Sequence, residues 1–522
     1  MWRQICVFMP SPATERGSAN GGAWFRLLIA ALLGLSGLAL LVGGTVLLTL
    51  GGSAYYVVAG LVLVAAAVLL FRRSPLALLA YAVLVVGTLV WAVFEIGLDW
   101  WQLVPRGDII FIFGILLCLP WIVRSLTRRS PISRRACLAA LAGSLVLAGV
   151  VGVAAIFTPT GKEWAGRLPG PRGPETPALA MEQGDWPAYA GTWAGLKFSP
   201  LTQITPVNVG ELERVWTFRT SDMPREGDPA EFTNEVTPIK VGDSLYLCTP
   251  HNLVYSLDPE TGGVRWSFGP RIRISPNLQH LSCRGVSYAR VEGTECPERI
   301  FLATNDARLI ALDARTGRVC PSFGENGQLN LWAGMPGDHD GWYQFTSAPL
   351  IARGKVVLAG AIYDNASTEM PSGVIRAFDA TTGELVWNFD PGNPTDTTPI
   401  GPGEHYVPST PNSWSTSAAD EELGIIYVPM GNGAIDQWGG ARSPETERYS
   451  STVLALDAET GRERWHFQTV HHDLWDMDVP VQPALVDLDI PGRGRVPALV
   501  QSTKTGHIFI LDRRTGEPLL PV

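Results

Sequence analysis

The chain has 522 residues, with 49 acidic against 40 basic side chains and a formal net charge of −9 at pH 7. Its composition changes near residue 158, because eleven arginines face four acids before that point and the negative excess lies after it. This charge distribution argues against a nucleic-acid partner for either part, and the break indicates two domains joined end to end.

The first 157 residues contain five apolar runs. They are residues 25–50, 55–71, 76–97, 109–123 and 136–157. Most of them reach or approach the ~20 residues that a helix needs to cross a bilayer. A cleaved signal peptide has one short apolar core, so five successive runs predict a permanent transmembrane domain of five helices over residues 1–157. Buried helices of a soluble protein are the alternative, which the near absence of charge inside the runs disfavours.

The arginines predict how this domain lies in the membrane. Ten of the eleven fall in the N-terminal tail and in the loops 71–75 and 124–135, whereas the loop 98–107 holds one. Because positively charged loops stay in the cytoplasm, we expect residues 158–522 to lie outside it after five crossings. In a bacterium this describes a multi-pass protein of the inner membrane whose second half faces the periplasm. Trp100 and Trp101 suit the outer membrane interface.

A repeat begins after a linker rich in Pro and Gly at 158–180. The pattern apolar-Asp-x-x-Thr-Gly occurs five times, at Asp258, Asp313, Asp379, Asp457 and Asp512. Alternating apolar residues run into a turn with Gly and then into a second strand, which predicts a β-hairpin. Recurrence every 55–78 residues predicts the blades of an all-β propeller over residues 181–522, rather than a chance repetition. Five or six blades fit this spacing, and the last copy is followed only by a few residues, so the chain stops within a blade. We therefore expect an incomplete propeller from an N-terminal fragment or an early-terminated gene product.

The cysteines of the second half bear on its compartment. They are Cys248, Cys283, Cys296 and Cys320. In an oxidising compartment they permit two disulfides, with three possible pairings. No C-x-x-C-H occurs, so the chain has no c-type haem attachment site.

Seven segments between the repeats are not required to build blades. They are "LCTPHN" (247–252), "LSCRGVSY" (281–288), "AIYDNASTEMPSG" (361–373), "TPNSWST" (410–416), "PMGNGAIDQWGG" (429–440), "TVHHDLWDMD" (469–478) and "STKTGH" (502–507). Each adjoins a predicted strand, so a propeller would bring them together at one end of its central channel. Taken singly, most have a structural explanation: His251 as a buried strand-end histidine, or Lys504 as a solvated hairpin lysine.

"TVHHDLWDMD" is the most specific of these segments. His471 and His472 lack the spacing of a helical zinc site, and no suitable third ligand follows them. A carboxylate beside a bulky Trp can be shielded from water and act as a base, and Asp476 directly follows Trp475. A hard divalent cation nearby would accept oxygens of Asp, Asn or Glu.

The chain resembles the membrane-bound pyrroloquinoline quinone (PQQ)-dependent dehydrogenases of the glucose/quinate/shikimate group. The resemblance lies in the hairpins and in the segments "LCTPHN", "SCRGVSY", "DNASTEMPSGVIRAFD", "PNSW", "TVHHDLWDMD" and "TKTGHIFILDRRTGE". The likeness covers essentially all of this chain but only part of a family member, whose propeller has eight blades. It implies an enzyme that oxidises D-glucose to glucono-1,5-lactone and passes the electrons to ubiquinone in the membrane lipid. Quinate, shikimate or another polyol is the alternative substrate, and an inactive fragment or a non-enzymatic propeller scaffold are further alternatives.

The resemblance also implies roles for single residues. Asp476 corresponds to the base that takes a proton from the substrate. The implied cofactor-binding residues are His251, Arg284, Trp414 and Lys504. The implied ligands of a magnesium or calcium ion are Asp364, Asn365 and Asn432. Residues 432–437, "NGAIDQ", depart from the Thr-Pro-Asp that glucose members often carry there, which puts the metal ligands in this segment in doubt.

Overall fold

The computed structural model describes residues 18–158, 184–337, 339–363 and 365–522. These residues form two compact units, one before and one after the gap at 159–183. The predicted linker at 158–180 lies almost entirely in that gap. Asp364, one of the predicted metal ligands, is also outside the described residues.

The first unit is helical. Its helices are α1 (Ser18–Thr49), α2 (Tyr55–Phe71), α3 (Leu76–Ile96), α4 (Trp100–Leu117), α5 (Pro120–Ser125) and α6 (Arg134–Ile156). Among the described residues, α1, α3, α4 and α6 are long and apolar enough to cross a membrane. The 17 residues of α2 are equally apolar but extend only about 26 Å, slightly short of the ~30 Å hydrocarbon core. A crossing by α2, and with it the odd number of crossings, therefore stays a prediction.

The fourth apolar run was predicted wrongly at both of its ends. The segment 98–107 is not a loop, because Asp99 accepts hydrogen bonds from the backbone N–H groups of Trp101 and Gln102 and so starts α4 at Trp100. The run also does not continue to residue 123, since Pro120 holds the preceding Leu119 in an extended conformation. A separate short helix, α5, follows that break.

Small residues let α1 and α2 pack closely. A Cβ atom at Gly60 would come 2.8 Å from the Gly37 carbonyl oxygen, so the two backbones approach at a distance that only glycine allows. Arg26 on α1 donates to the carbonyl oxygens of Leu70 and Phe71 at the last turn of α2. A cation at the C-terminal end of a helix satisfies free carbonyl groups there and favours the helix dipole.

The second unit consists of short strands in radial sheets. The strands are β1 (Glu231–Thr233), β2 (Ile239–Val241), β3 (Ser244–Cys248), β4 (Val254–Leu257), β5 (Val264–Phe268), β6 (His280–Ser282), β7 (Ser287–Arg290), β8 (Glu298–Ala303), β9 (Arg308–Asp313), β10 (Gln328–Asn330), β11 (Tyr343–Gln344), β12 (Leu350–Ala352), β13 (Lys355–Ala359), β14 (Ala361–Ile362), β15 (Ile375–Asp379), β16 (Leu385–Phe389), β17 (Ala418–Asp420), β18 (Ile425–Pro429), β19 (Thr452–Asp457), β20 (Glu463–Gln468), β21 (Ala484–Ile490), β22 (Gly494–Ser502) and β23 (Ile508–Asp512). One short helix, α7 (Pro444–Tyr449), lies between β18 and β19.

Five sheets of the described residues are propeller blades. Their strand orders are β2-β3-β4-β5, β10-β9-β8-β7, β12-β13-β15-β16, β17-β18-β19-β20 and β21-β22-β23. All pairings inside these blades are antiparallel, which confirms the predicted propeller architecture. Two small sheets, β1-β6 and β11-β14, connect segments outside the blades.

The repeated Asp-x-x-Thr-Gly motif forms the hairpin that its residues predict. In the first copy, Asp258 accepts hydrogen bonds from the backbone N–H groups of Glu260 and Thr261 and from the Thr261 hydroxyl. Gly262 then takes a φ of +70°, which a residue with a Cβ atom adopts only with strain. The turn therefore needs both the side chain of Asp and the conformational freedom of Gly.

The same motif joins neighbouring blades through a tryptophan. The Trp266 indole donates to the Ala314 carbonyl oxygen at 3.0 Å, and its ring covers Gly317 so closely that a Cβ there would lie 2.4 Å away. Trp216, Trp387 and Trp465 pack in the same way on Gly262, Gly461 and Gly516. Glycine is thus required twice at this turn, for its φ and for the ring that covers it.

One blade interface replaces the tryptophan by an arginine. The hairpin after β9 carries Pro321 where three of the other four copies carry Trp. The buried guanidinium of Arg299, on β8, donates instead to the carbonyl oxygens of Ala380 and Thr381 at 2.8 and 2.7 Å. Ala380 is the counterpart of Ala314, so the same backbone oxygen is satisfied by a different donor.

The four cysteines of this unit form two disulfides, Cys248–Cys283 and Cys296–Cys320. The structure thereby selects one of the three pairings that the sequence left open. The first bond ties the end of β3 to the segment just after β6.

Candidate active site

Most of the predicted site residues that the structure describes line one cavity of about 300 Å³. These are Arg284, Trp414, Asn432, Asp476 and Lys504. A volume of this size is at the lower end of what small-molecule sites have. His251 and Asn365 are not among the lining residues.

Three sheets deliver these side chains to the cavity, and the blade β17-β18-β19-β20 supplies three of the five. Arg284 lies just after β6, Trp414 before β17 and Asn432 after β18, while Asp476 follows β20 and Lys504 follows β22. Six of the seven segments between the repeats therefore contribute to one cavity, whereas "LCTPHN" does not. They come from residues more than 200 positions apart in the chain, which only the ring of blades brings together.

Trp414 presents an aromatic platform in this cavity. Its indole Nε1 donates to Asp478 Oδ2 at 2.5 Å, which sets the orientation of the ring. The Arg284 guanidinium lies 5.2 Å and the Lys504 ammonium 5.7 Å from the ring centroid. Arg284 is itself held by Glu235 at 2.8 Å. The platform is thus bordered by two cations, a suitable place for a flat and negatively charged molecule.

Lys504 lies between two carboxylates. Its Nζ is 3.1 Å from Asp476 Oδ2 and also contacts Asp478 Oδ1. Burial alone would lower the pKa of Lys504, but the hydrogen bonds and charges of Asp478 and Asp476 outweigh it and raise that pKa. Lys504 therefore carries its charge throughout the neutral range.

The two carboxylates differ in their exposure. The side chain of Asp478 is 6% exposed and that of Asp476 is 42% exposed. Burial raises the pKa of Asp478, and the hydrogen bonds from Lys504 and Trp414 offset part of that effect. Asp476 has a φ of +57°, a left-handed conformation that costs a non-glycine residue about 1–2 kcal/mol and that concentrates at functional sites. Asp476 is therefore open to a substrate, whereas Asp478 is a fixed structural anion.

A third carboxylate of the decapeptide shapes the loop. Asp473 is fully buried and accepts hydrogen bonds from the backbone N–H groups of Trp475 and Met477, at 2.9 and 2.7 Å. It also accepts from Ser451 and from the Asn432 amide, at 2.6 and 3.0 Å. One side chain thus fixes both the loop that carries Asp476 and the side chain of a predicted metal ligand.

His251 takes a different position from the other predicted cofactor residues. It is buried against Phe232, with Nδ1 2.5 Å from Asp222 and Nε2 3.2 Å from Asp228. Burial works to raise the pKa of Asp222, but bonds from Thr249 and His251 lower it overall. His251 is thus held by two carboxylates, one at each ring nitrogen.

The donor set of the cavity suits a hard divalent cation. Within the described residues, five carboxylates line it, from Glu231, Glu235, Asp436, Asp476 and Asp478, against the permanent cations Arg284 and Lys504. The described residues contain no group of three or more acidic, His or Cys side chains at metal-binding spacing, and Asp364 lies outside them. Asp436 nevertheless has a buried carboxylate oxygen without a hydrogen-bond partner. Oxygen donors and excess negative charge are what magnesium and calcium need.

Of these five carboxylates only Asp476 was predicted from the sequence, and Glu231, Glu235, Asp436 and Asp478 were missed. Asp478 lies two residues after Asp476 in the same decapeptide. In an extended segment, residues two positions apart point to the same side, and this spacing could have identified Asp478. Asp436 lies in "PMGNGAIDQWGG", from which only Asn432 was selected. Its burial in the cavity wall could not be deduced from an irregular segment without strand periodicity.

The chain was compared with known proteins. Residues 186–522 match the PQQ family described as "Glucose/ethanol/alcohol dehydrogenase, beta-propeller domain". The chain is 45% identical to the quinoprotein glucose dehydrogenase of Escherichia coli (strain K12), over 95% of this chain and 63% of that protein. It is 37% identical to the quinate/shikimate dehydrogenase (quinone) of Acinetobacter baylyi, over 96% of this chain and 63% of that protein.

A solved structure is similar as well. The quinohemoprotein alcohol dehydrogenase ADHIIG of Pseudomonas putida HK5 matches with a TM-score of 0.52 and 28% identity, over 65% of this chain and 48% of that one. The chain spans less than two thirds of the length of the glucose and quinate/shikimate dehydrogenases it matches. On the family match and the propeller, the chain belongs to the PQQ-dependent dehydrogenases.

Proposed function

We propose that this protein is a PQQ-dependent dehydrogenase that oxidises D-glucose to glucono-1,5-lactone. The observation that carries the proposal is the cavity in which the Trp414 ring, two cations and an accessible carboxylate meet. A flat cofactor with a polar rim is held well by an aromatic face together with cations at its edge. The 45% identity to a quinoprotein glucose dehydrogenase supports glucose as the substrate.

In this proposal each residue has a role that its surroundings suit. PQQ, when bound, supplies the acceptor for the two electrons that leave the substrate. Trp414 holds the flat face of the cofactor, and Lys504 and Arg284 balance the negative charge at its edge. His251 supports the cofactor site from its buried position beside β1. Asp364, Asn365 and Asn432 supply oxygen ligands to a magnesium or calcium ion that assists cofactor binding.

Asp476 acts as the base in this proposal. It takes the proton of the substrate hydroxyl at its carboxylate oxygen, which requires an accessible side chain within hydrogen-bond reach of that hydroxyl. Asp476 meets the first requirement, whereas the buried Asp478 already holds Trp414 and Lys504. Lys504 donates to Asp476 at 3.1 Å and so helps to position its carboxylate.

The apolar helices of the first unit suit an enzyme of the inner membrane that delivers its electrons to ubiquinone. We propose that residues 1–157 anchor the protein, residues 158–180 link the parts, and residues 181–522 contribute the cofactor site on the periplasmic side. Membrane lipid surrounds the helices and holds the quinone. The absence of C-x-x-C-H from the sequence fits an acceptor other than a haem on the same chain.

The test is dye-linked oxidation by the purified protein in detergent, supplied with PQQ and either magnesium or calcium. We expect glucose-dependent dye reduction that Asp476→Asn lowers at least ~100-fold, since general base catalysis contributes ~10²–10⁴-fold. His471→Gln is the matched control, because His471 is exposed on the same loop and contacts only Gln468. Full activity in Asp476→Asn would refute the role of the base.

Quinate or shikimate is the second candidate substrate. It is favoured by the 37% identity to the quinate/shikimate dehydrogenase of Acinetobacter baylyi over nearly the whole chain. The same assay with quinate in place of glucose separates the two. If quinate but not glucose reduced the dye, the proposed cofactor chemistry would stand and quinate would be the substrate.

A further inference from the structure

Asp436 is the carboxylate of the cavity wall whose charge has no basic partner among the described residues. The four other lining carboxylates have one: Glu231 pairs with His280, Glu235 with Arg284, and Asp476 and Asp478 with Lys504. Asp436 is 6% exposed, and its Oδ1 lacks any hydrogen-bond donor. A buried, unpaired carboxylate is unfavourable, so the described residues leave Asp436 in need of a positively charged partner.

The predicted metal ligand Asn365 lies next to Asp436 in the fold, because its side-chain oxygen accepts from the backbone N–H of Gln437 at 3.4 Å. The side chains of Asp436, Asp476 and Asn432 line the same cavity. Carboxylate and amide oxygens are the ligands that magnesium and calcium take.

We infer that Asp436 is an oxygen ligand of the divalent cation that joins PQQ to this cavity. The inference rests on the proposed function, because it assumes that PQQ binds beside Trp414. Oδ1 of Asp436 would then receive its missing partner from the ion. The assignment adds a ligand from the segment 432–437, where the ligand set was in doubt.

The charge of the cavity gives an independent reason for a cation at this place. PQQ is a tricarboxylate, and it enters a cavity where five carboxylates face two permanent cations among the described residues. Arg284 and Lys504 also contact carboxylates of the cavity, so they offset only part of the negative charge of a bound tricarboxylate. A divalent ion at Asp436 removes the repulsion on the side of the cavity that lacks a basic residue.

The test measures metal binding directly, with the full chain in detergent. PQQ is added to chelator-treated protein, and Ca²⁺ or Mg²⁺ is titrated while tryptophan fluorescence is followed. We expect Asp436→Asn to raise the apparent Kd of the ion ~10–100-fold. Glu231→Gln removes the same charge from the same cavity but leaves His280 as its neighbour, and we expect a change of less than ~3-fold.

Thermal unfolding of the metal-free proteins provides a second readout. Removing an unpaired buried charge relieves a cost, so metal-free Asp436→Asn should melt at or above the temperature of the wild type. Ca²⁺ should then stabilise the PQQ-loaded wild type more than the variant. This order of melting temperatures also shows that a weaker Kd does not come from misfolding.

Each outcome has a defined meaning. If metal binding weakens in Asp436→Asn but not in Glu231→Gln, the result supports Asp436 as a ligand of the ion. An unchanged Kd, or equal weakening in both variants, overturns it while the proposed function stands, because the wild type still binds PQQ and the ion. A wild type that binds no PQQ overturns the proposed function and the inference together.

Discussion

Replacing Asp478 by Asn tests the arrangement that orients the cofactor platform. The wild-type carboxylate accepts from the Trp414 indole at 2.5 Å and contacts the Lys504 ammonium, and its side chain is 6% exposed. Asn keeps one acceptor for the indole but loses the charge that holds Lys504. Lys504 is then left with Asp476, a partner that is 42% exposed and therefore weaker.

The size of the effect follows from the bonds that are lost. A hydrogen bond to a charged group contributes about 1.5–3 kcal/mol, and every 1.4 kcal/mol changes a binding constant tenfold. We expect the Kd for PQQ to rise about 10–100-fold in Asp478→Asn. Titration of the metal-loaded protein with PQQ, followed by the quenching of tryptophan fluorescence, measures this change.

The control is Asp487→Asn, which removes a carboxylate that pairs with Arg513 outside the cavity. That variant should lose some stability and keep its affinity for PQQ. If Asp478→Asn bound PQQ within twofold of the wild type, Asp478 would not orient the platform, and the reasoning from its two contacts would fail.

Three further changes test the fold. Gly461→Ala should lower the free energy of unfolding by about 2–4 kcal/mol, measured in urea, because the new Cβ would lie 2.4 Å from Trp387 at a φ of +69°. The double change Cys248→Ser and Cys283→Ser opens a loop of 35 residues and should cost about 3–4 kcal/mol in the same assay. Glu463→Gln should cost about 1–2 kcal/mol at pH 7, since hydrogen bonds and nearby cations outweigh burial and lower the pKa of Glu463 to about 2.

Controls separate these effects from nonspecific damage. Gly492→Ala has a similar φ of +78° but open space around it, so it should cost only the backbone strain. A reductant should destabilise the wild type more than the double variant, because only Cys296–Cys320 is left to reduce in the variant. The Glu463 carboxyl has a lowered pKa, so its contribution is present above pH 4.5 and disappears as the pH falls toward about 2. If the free energies of unfolding of Glu463→Gln and the wild type still differed below pH 2, the ionised Glu463 carboxylate would not be the source of the stabilisation.

The propeller could be predicted because its hairpin leaves a signal in five places. Asp258 and its counterparts precede a glycine at a fixed distance, and both residue types are required by the turn. The contact of Trp266 with Ala314 and Gly317 could not be predicted, since it joins different blades. Arg299 shows the limit most clearly, because nothing in its neighbourhood along the chain marks it as a substitute for a tryptophan.

The membrane unit shows a different limit. Apolar composition identified its helices, but their ends depend on single polar residues. Asp99 was counted as part of a loop, whereas its carboxylate begins α4. Capping is a matter of one or two hydrogen bonds, which an apolar run does not reveal.

His251 illustrates why a residue can be identified from its motif and still be found in unexpected surroundings. Its segment "LCTPHN" placed it near the cofactor, but Asp222 and Asp228, which contact its ring, lie in a stretch without periodicity. A sequence shows which residues are close along the chain. It does not show which carboxylates a fold will bring to a histidine from 23 and 29 residues away.

The decapeptide "TVHHDLWDMD" shows how one segment can hold three carboxylates with separate functions. Asp473 is completely enclosed and accepts four hydrogen bonds, so it fixes the loop and has no capacity for a substrate. Asp478 is enclosed as well, but its partners are the indole of Trp414 and the ammonium of Lys504, which makes it part of the cofactor platform. Asp476 alone of the three is substantially exposed and held in a strained backbone conformation. Proximity in sequence does not distinguish the three carboxylates, whereas exposure and partners do, and both support Asp476 as the proposed base.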